Sequence, residues 1–186
     1  MAVKTMAKNT GTGQYNAGWH ELTVSKAVDG KWGDKRTIDL NFEGYPDNMR
    51  HRVFEASNKT TGEEFKIANL FRFACAGIIS VLNDPTGKNP VIQYDDEVTN
   101  LVGTRVNVLF VKEASTTDGK EYSRTFDLVP VAQETEHITW TDDDVARLKN
   151  GVEKQHAKRT AGTVNGIGTV NVDTTTNTTN DVDIPF

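Results

Sequence analysis

Hydrophobic and polar residues alternate with a period of two over much of the first half of this chain. Across residues 19–24, His20, Leu22 and Val24 share one face while Trp19, Glu21 and Thr23 share the other, the pattern of a half-buried strand. Residues 27–34, with Asp29-Gly30 and Gly33-Asp34, read as a turn region. Ile38, Leu40 and Phe42 then alternate with Thr37, Asp39 and Asn41, and residues 50–55 set Arg50, Arg52 and Phe54 against His51, Val53 and Glu55. Three strands joined by short turns predict a meander.

After residue 60 the period becomes helical. Ile67, Ala68, Phe71, Ala74, Cys75, Ile78 and Leu82 recur at helical spacing. Thr60 or Thr61, with Glu63 or Glu64 three residues on, offers a capping box, and Asn83-Asp84-Pro85 is the expected stop. Alternation returns at residues 105–112, turns over at 116–120 around Asp118-Gly119, and continues through 122–131. Thr141 then offers an N-cap, Asp142 to Asp144 suit a helix dipole, and Trp140 can staple onto Val145. Beyond Gly162 the chain turns to Thr, Asn, Gly and Val, with the triplet Thr-Val-Asn at 163–165 and 169–171. That composition builds no core.

The order is three strands, a helix, two strands, an added helix and a tail. It predicts a mainly β protein, an OB-fold-like five-stranded antiparallel barrel with a helix after the third strand. A five-stranded antiparallel sheet that stays open is the alternative. The expected divisions are a flexible arm over 1–17, the barrel over 18–132, an accessory helix over 133–160, and a disordered linker and tip over 161–186.

Composition narrows the chemistry. The net charge of −5 excludes a protein basic in bulk, yet residues 1–60 hold nine Lys/Arg against seven Asp/Glu, and residues 161–186 hold three Asp and no base. A basic first third and an acidic end suit a groove and a competing tail. Cys75 is the single cysteine, so no internal disulfide forms. No membrane span or signal peptide is legible, which places the chain as a soluble, cytoplasmic protein. The histidines His20, His51, His137 and His156 lack metal-ligand spacing. No catalytic residue, metal or cofactor is expected.

Strand faces carrying both aromatics and cations suit single-stranded nucleic acid, because every base has a face to stack and every phosphate a charge to neutralise. The candidates are Trp19, Lys31, Trp32, Lys35, Arg36, Tyr45, Arg50, Arg52, Phe54, Lys112, Lys120, Tyr122, Arg124 and Phe126. The trios Arg50/Arg52/Phe54 and Tyr122/Arg124/Phe126 each lie on one face of a strand. A strand Phe is more often core than stacker, and a strand Arg or Lys is usually just solvated. Trp32, in a glycine-flanked basic stretch, is a poor candidate for the core.

Asp181, Asp183, Ile184, Pro185 and Phe186 close the sequence. They form an apolar hook beside acids, the shape of a peptide captured by an apolar pocket with a basic rim. The tip resembles the acidic C-terminal tip of bacterial single-stranded DNA-binding proteins, which ends in aspartates followed by Ile-Pro-Phe; Val182 stands where that family usually has another Asp. The body resembles, in pattern, the single-stranded DNA-binding proteins of tailed phages. The resemblance implies a protein that coats and protects single-stranded DNA during phage replication, recombination and repair. It also implies recruitment of replication or recombination proteins through the tip, and residence in the host cytoplasm. A homodimer is compatible with it. Two other readings stand beside it: a metal-dependent nuclease using Asp95-Asp96-Glu97, and a protein-binding adaptor without DNA affinity.

Overall fold

The computed structural model describes residues 15–83, 90–115 and 117–164. Most of the expected arm, the expected helix stop at 84–85 and the tip at 181–186 lie outside them. The centre is a five-stranded antiparallel sheet in the order β3-β2-β1-β6-β7. Its strands are β1 (Gly18–Trp32), β2 (Lys35–Phe42), β3 (His51–Phe54), β6 (Arg105–Ala114) and β7 (Glu121–Pro130). A two-stranded ribbon, β4 (Ile78–Asn83) with β5 (Pro90–Tyr94), and a short pair, β8 (Gln133–Glu134) with β9 (Thr139–Trp140), complete the β structure. The helices are α1 (Lys66–Ala74) and α2 (Asp142–Val164). No described helix is long and apolar enough to cross a membrane.

β1 is one strand of 15 residues, so residues 27–34 are no turn region; the chain reverses only at Gly33-Asp34. Asp29 and Gly30 stay extended because each is locked into the ladder, opposite Ile38 and Thr37. A bulge between Val24 and Lys26 interrupts the register. Its extra residue, Ser25, changes which side chains point inward. Before it Leu22 and Val24 are buried; after it the core-side row runs through Ala27, opposite Leu40. Directly opposed residues share a face. The outward rows are therefore Trp19, Glu21 and Thr23 before the bulge, and Lys26, Val28, Gly30 and Trp32 after it.

The core face gathers Ile38, Leu40, Phe42, Val53, Val106, Val108, Phe110 and Leu128. Complete burial of a side chain such as Phe42 or Phe110 contributes about 1.5–3 kcal/mol. α1 closes one end of this face with Ile67, Leu70, Phe71 and Ala74, spaced for one side of a helix. Its cap is the Glu64 carboxylate rather than Thr60 or Thr61: Ile67 N–H and Ala68 N–H donate to it at 2.7 and 3.0 Å.

The helix also stops earlier than its spacing predicts. Cys75 takes a left-handed φ of 50° and Gly77 one of 62°. At Gly77 the backbone passes so close to the Asp95 carbonyl that a Cβ would collide with it. Ile78, Ile79 and Val81 are β-branched and enter a strand instead. The resulting ribbon leaves Ile79, Val81, Leu82 and Val91 exposed.

The sheet stays open. No ladder joins β3 to β7 among the described residues, although the edges touch where Thr125 Oγ1 donates to the Arg50 carbonyl at 3.1 Å. Beneath that seam Lys66 pairs with Asp127 at 3.2 Å beside the buried His51. Burial holds the His51 imidazole below its ordinary range, at about 4, and its Nδ1 has no hydrogen-bond partner among the described residues.

α2 starts as expected. Asp144 N–H donates to Thr141 Oγ1 at 3.2 Å, Thr141 N–H donates back to the Asp144 carboxylate at 3.3 Å, and Trp140 and Val145 are both buried. The helix runs to Val164, four residues past the expected boundary.

Candidate nucleic-acid interface

Beyond the bulge, the outward side of the sheet forms a grid. On β1 stand Lys26, Val28, Gly30 and Trp32. Opposite them on β2 stand Asn41, Asp39, Thr37 and Lys35, and on β3 Arg52 and Phe54 lie across from Asp39 and Thr37. Three of these side chains are apolar and open: Trp32 is 64% exposed, Val28 and Phe54 41% each. Exposed apolar groups gathered on one face mark an interaction surface.

Two arginines of this face are held in place by one acid. Arg52 forks onto Asp39, with Nε and Nη2 donating at 2.6 and 2.7 Å, and Arg50 reaches the same carboxylate at 3.2 Å. The Arg52 hydrogen bond, chiefly, keeps the Asp39 carboxyl below its usual range, against the opposing effect of burial. The Arg52 guanidinium also lies 5.9 Å from the centre of the Trp32 ring, within cation–π range. One carboxylate thus holds two arginines, one of them beside an open indole. Asp39 and Val28 escape a search for aromatics and cations; alternation across residues 26–32, read as strand, would have found Val28.

Arg36 is engaged otherwise. It bonds the Asp29 carboxylate at 2.9–3.1 Å and pairs with Asp96. Hydrogen bonding to Asp29, above all, raises its pKa further. This clamp ties the β1–β2 hairpin to the loop after β5 and occupies one of the three acids at 95–97. No cluster of three metal-ligating side chains occurs among the described residues. Lys31, Lys35, Lys112 and Lys120 form no ion pair among the described residues.

The remaining candidates lie elsewhere. Tyr45 follows the far end of β2 and packs in an aromatic cluster, 5.0 Å from Tyr15 and 5.3 Å from Phe110; burial, then Tyr15, raises its pKa. Tyr122, Arg124 and Phe126 do share the outward face of β7. Tyr122 donates to Asp118 at 2.6 Å, and Arg124 pairs with Glu113 at 3.4 Å. Phe126 meets the edge of His156 at 4.8 Å and lies under Arg159. Trp19 donates from Nε1 to Glu153 at 2.7 Å, with Lys149 over its ring at 5.4 Å. Both aromatics therefore face α2, whose side chains cover this half of the sheet. A helix more than a hundred residues away from Trp19 leaves no trace in the local pattern around it.

The chain matches no protein-family model and no curated protein.

Proposed function

We propose that this chain binds single-stranded DNA, coating and protecting it during phage DNA replication, recombination and repair. The carrying observation is the open face of β1–β2–β3, where Trp32, Val28 and Phe54 stand exposed beside arginines oriented by Asp39. A flat indole offers a stacking platform for any base, and the arginines and lysines around it offer phosphate contacts. The strand order, with a helix following the third strand, supports an OB-fold-like reading. A net charge of −5 is compatible with this, since a local face can be basic while the whole is acidic.

The residues Asp183-Ile184-Pro185-Phe186 support a second role, recruitment of replication or recombination proteins. Being tethered, the acids of this end would compete for the chain's own groove at about mM effective concentration.

The test is tryptophan fluorescence during titration with oligo-dT and with a duplex of equal length, at low and high salt. The expected result is salt-sensitive quenching by the single strand, lost in Trp32→Phe. If neither quenching nor a gel shift occurs with the single strand, the reading fails. Removing residues 181–186 should leave or tighten DNA binding while abolishing partner recruitment.

A further inference from the structure

The ribbon of β4 and β5 is a sheet of its own. Its base is fixed: Asp95 N–H donates to the Gly77 carbonyl at 2.8 Å, and the Tyr94 ring lies 5.4 Å from that of Phe71. Beyond the base its side chains are open. Leu82 and Val91 oppose each other on one face, Val81 and Ile92 on the other. Val91 is 50% exposed and Ile79, at the bulge, 61%. Each strand has the other as its only ladder partner among the described residues, so two outer edges are unpaired. A two-stranded ribbon by itself is marginal in water; a third strand or a packed face is what stabilises it. Exposed edges are normally blunted by lysine, other charges or proline. Pro90, without an N–H, opens β5, whereas β4 beyond its bulge has none of these.

We propose that the free edge of β4 pairs with the same edge of a second copy of this chain, antiparallel and about a two-fold axis, giving a four-stranded sheet in the order β5-β4-β4-β5. Charge selects this occupant. A two-fold contact sets a strand against its own sequence, so a charge near the axis meets its own copy. Neither strand of the ribbon contains a charged residue. The same lack argues against nucleic acid: neither strand offers a cation to neutralise a phosphate, and Asp95 and Glu97, just after β5, repel one. Main-chain hydrogen bonds supply the pairing. The joined ribbons then set Leu82 and Val91 of both copies side by side on one face, and Val81 and Ile92 on the other.

The experiment is sedimentation equilibrium of the full chain over a range of concentrations, with variants of Val81, an exposed residue in the regular part of β4. The unmodified chain should dimerise. Val81→Lys and Val81→Glu should each raise the dissociation constant at least about a hundredfold, through like charges set face to face, while the circular dichroism of the fold is unchanged. An equimolar mixture of the two should dimerise again, because opposite charges then meet. Val81→Thr, uncharged and β-branched, should keep the dimer. A chain monomeric at every concentration would overturn the proposal, and loss of oligo-dT affinity in Val81→Glu would then assign the ribbon to nucleic acid. A dimer indifferent to Val81→Lys, or a mixture that stays monomeric, would overturn it as well, by placing any contact between copies elsewhere. Oligo-dT binding by the unmodified chain tests the proposed function separately.

Discussion

Residues 18–24 and 26–32 belong to the same strand and present their outward side chains to the same side of the sheet, yet only one stretch is covered. Over the first, α2 supplies Lys149 and Glu153 to Trp19 and, over neighbouring β7, His156 to Phe126. Leu109 and Val129, outward residues of β6 and β7, are thereby buried. Over the second stretch no described element supplies an equivalent lid, and Trp32 is 64% exposed. Aromatic and basic residues on a strand have two uses, packing under a helix or facing a ligand. Long-range cover decides between them.

The sharpest way to break the covered half is Trp140→Ala. Trp140 is buried in β9, two residues ahead of α2, edge-on to Phe73 at 5.6 Å and beneath Arg72. Its loss should cost about 3–5 kcal/mol, read as a lower denaturation midpoint. Acid should act on the other half. His51 in β3 binds its proton more weakly in the folded chain than in the unfolded one, where imidazole titrates near 6.5. The unfolded chain therefore takes up more protons, and stability, complete above about pH 6.5, should fall as the pH drops toward 4 by about 3 kcal/mol. His51→Leu should flatten that part of the profile in denaturant titrations.

Trp32→Ala sharpens the contrast. It should leave the denaturation midpoint within about 0.5 kcal/mol and weaken oligo-dT binding by about 1–3 kcal/mol; the reverse outcome would place Trp32 in a structural role. Thr141→Ala removes the reciprocal cap of α2 and should cost about 1 kcal/mol, with faster amide exchange in the first turn of that helix. The finest effect is electrostatic. Arg50→Ala should reduce the slope of log affinity against log salt by about 0.7, one phosphate contact on a single strand.

The strands with uninterrupted alternation were legible from residue type alone: Ile38-Leu40-Phe42, and Val106-Val108-Phe110. Two errors have physical causes. Asp29-Gly30 carries turn chemistry, but pairing with Ile38 and Thr37 outweighs local preference. Ile78 and Leu82 sit at helical spacing from Phe71 and Ala74, so periodicity could not choose; the left-handed backbone at Cys75 and Gly77 did. In the candidate interface, the aromatics and cations could be listed from composition. Their division between an open and a covered surface could not, because it depends on where α2 lies. Asp39 was invisible for a different reason: an acid that aligns two arginines looks, in sequence, like an acid that weakens them.

The bulge at Ser25 makes the phase of β1 a separable property of the chain. Pair Ser25 regularly with Asn41 instead of bulging it out, and the strand can still form its ladder, but every later side chain trades sides. Lys26, Val28 and Trp32 would turn toward the core, and Asp29 and Lys31 would turn out. The whole open face is written one step out of phase with the half of the strand that precedes it, so it exists only while Ser25 stays outside the ladder.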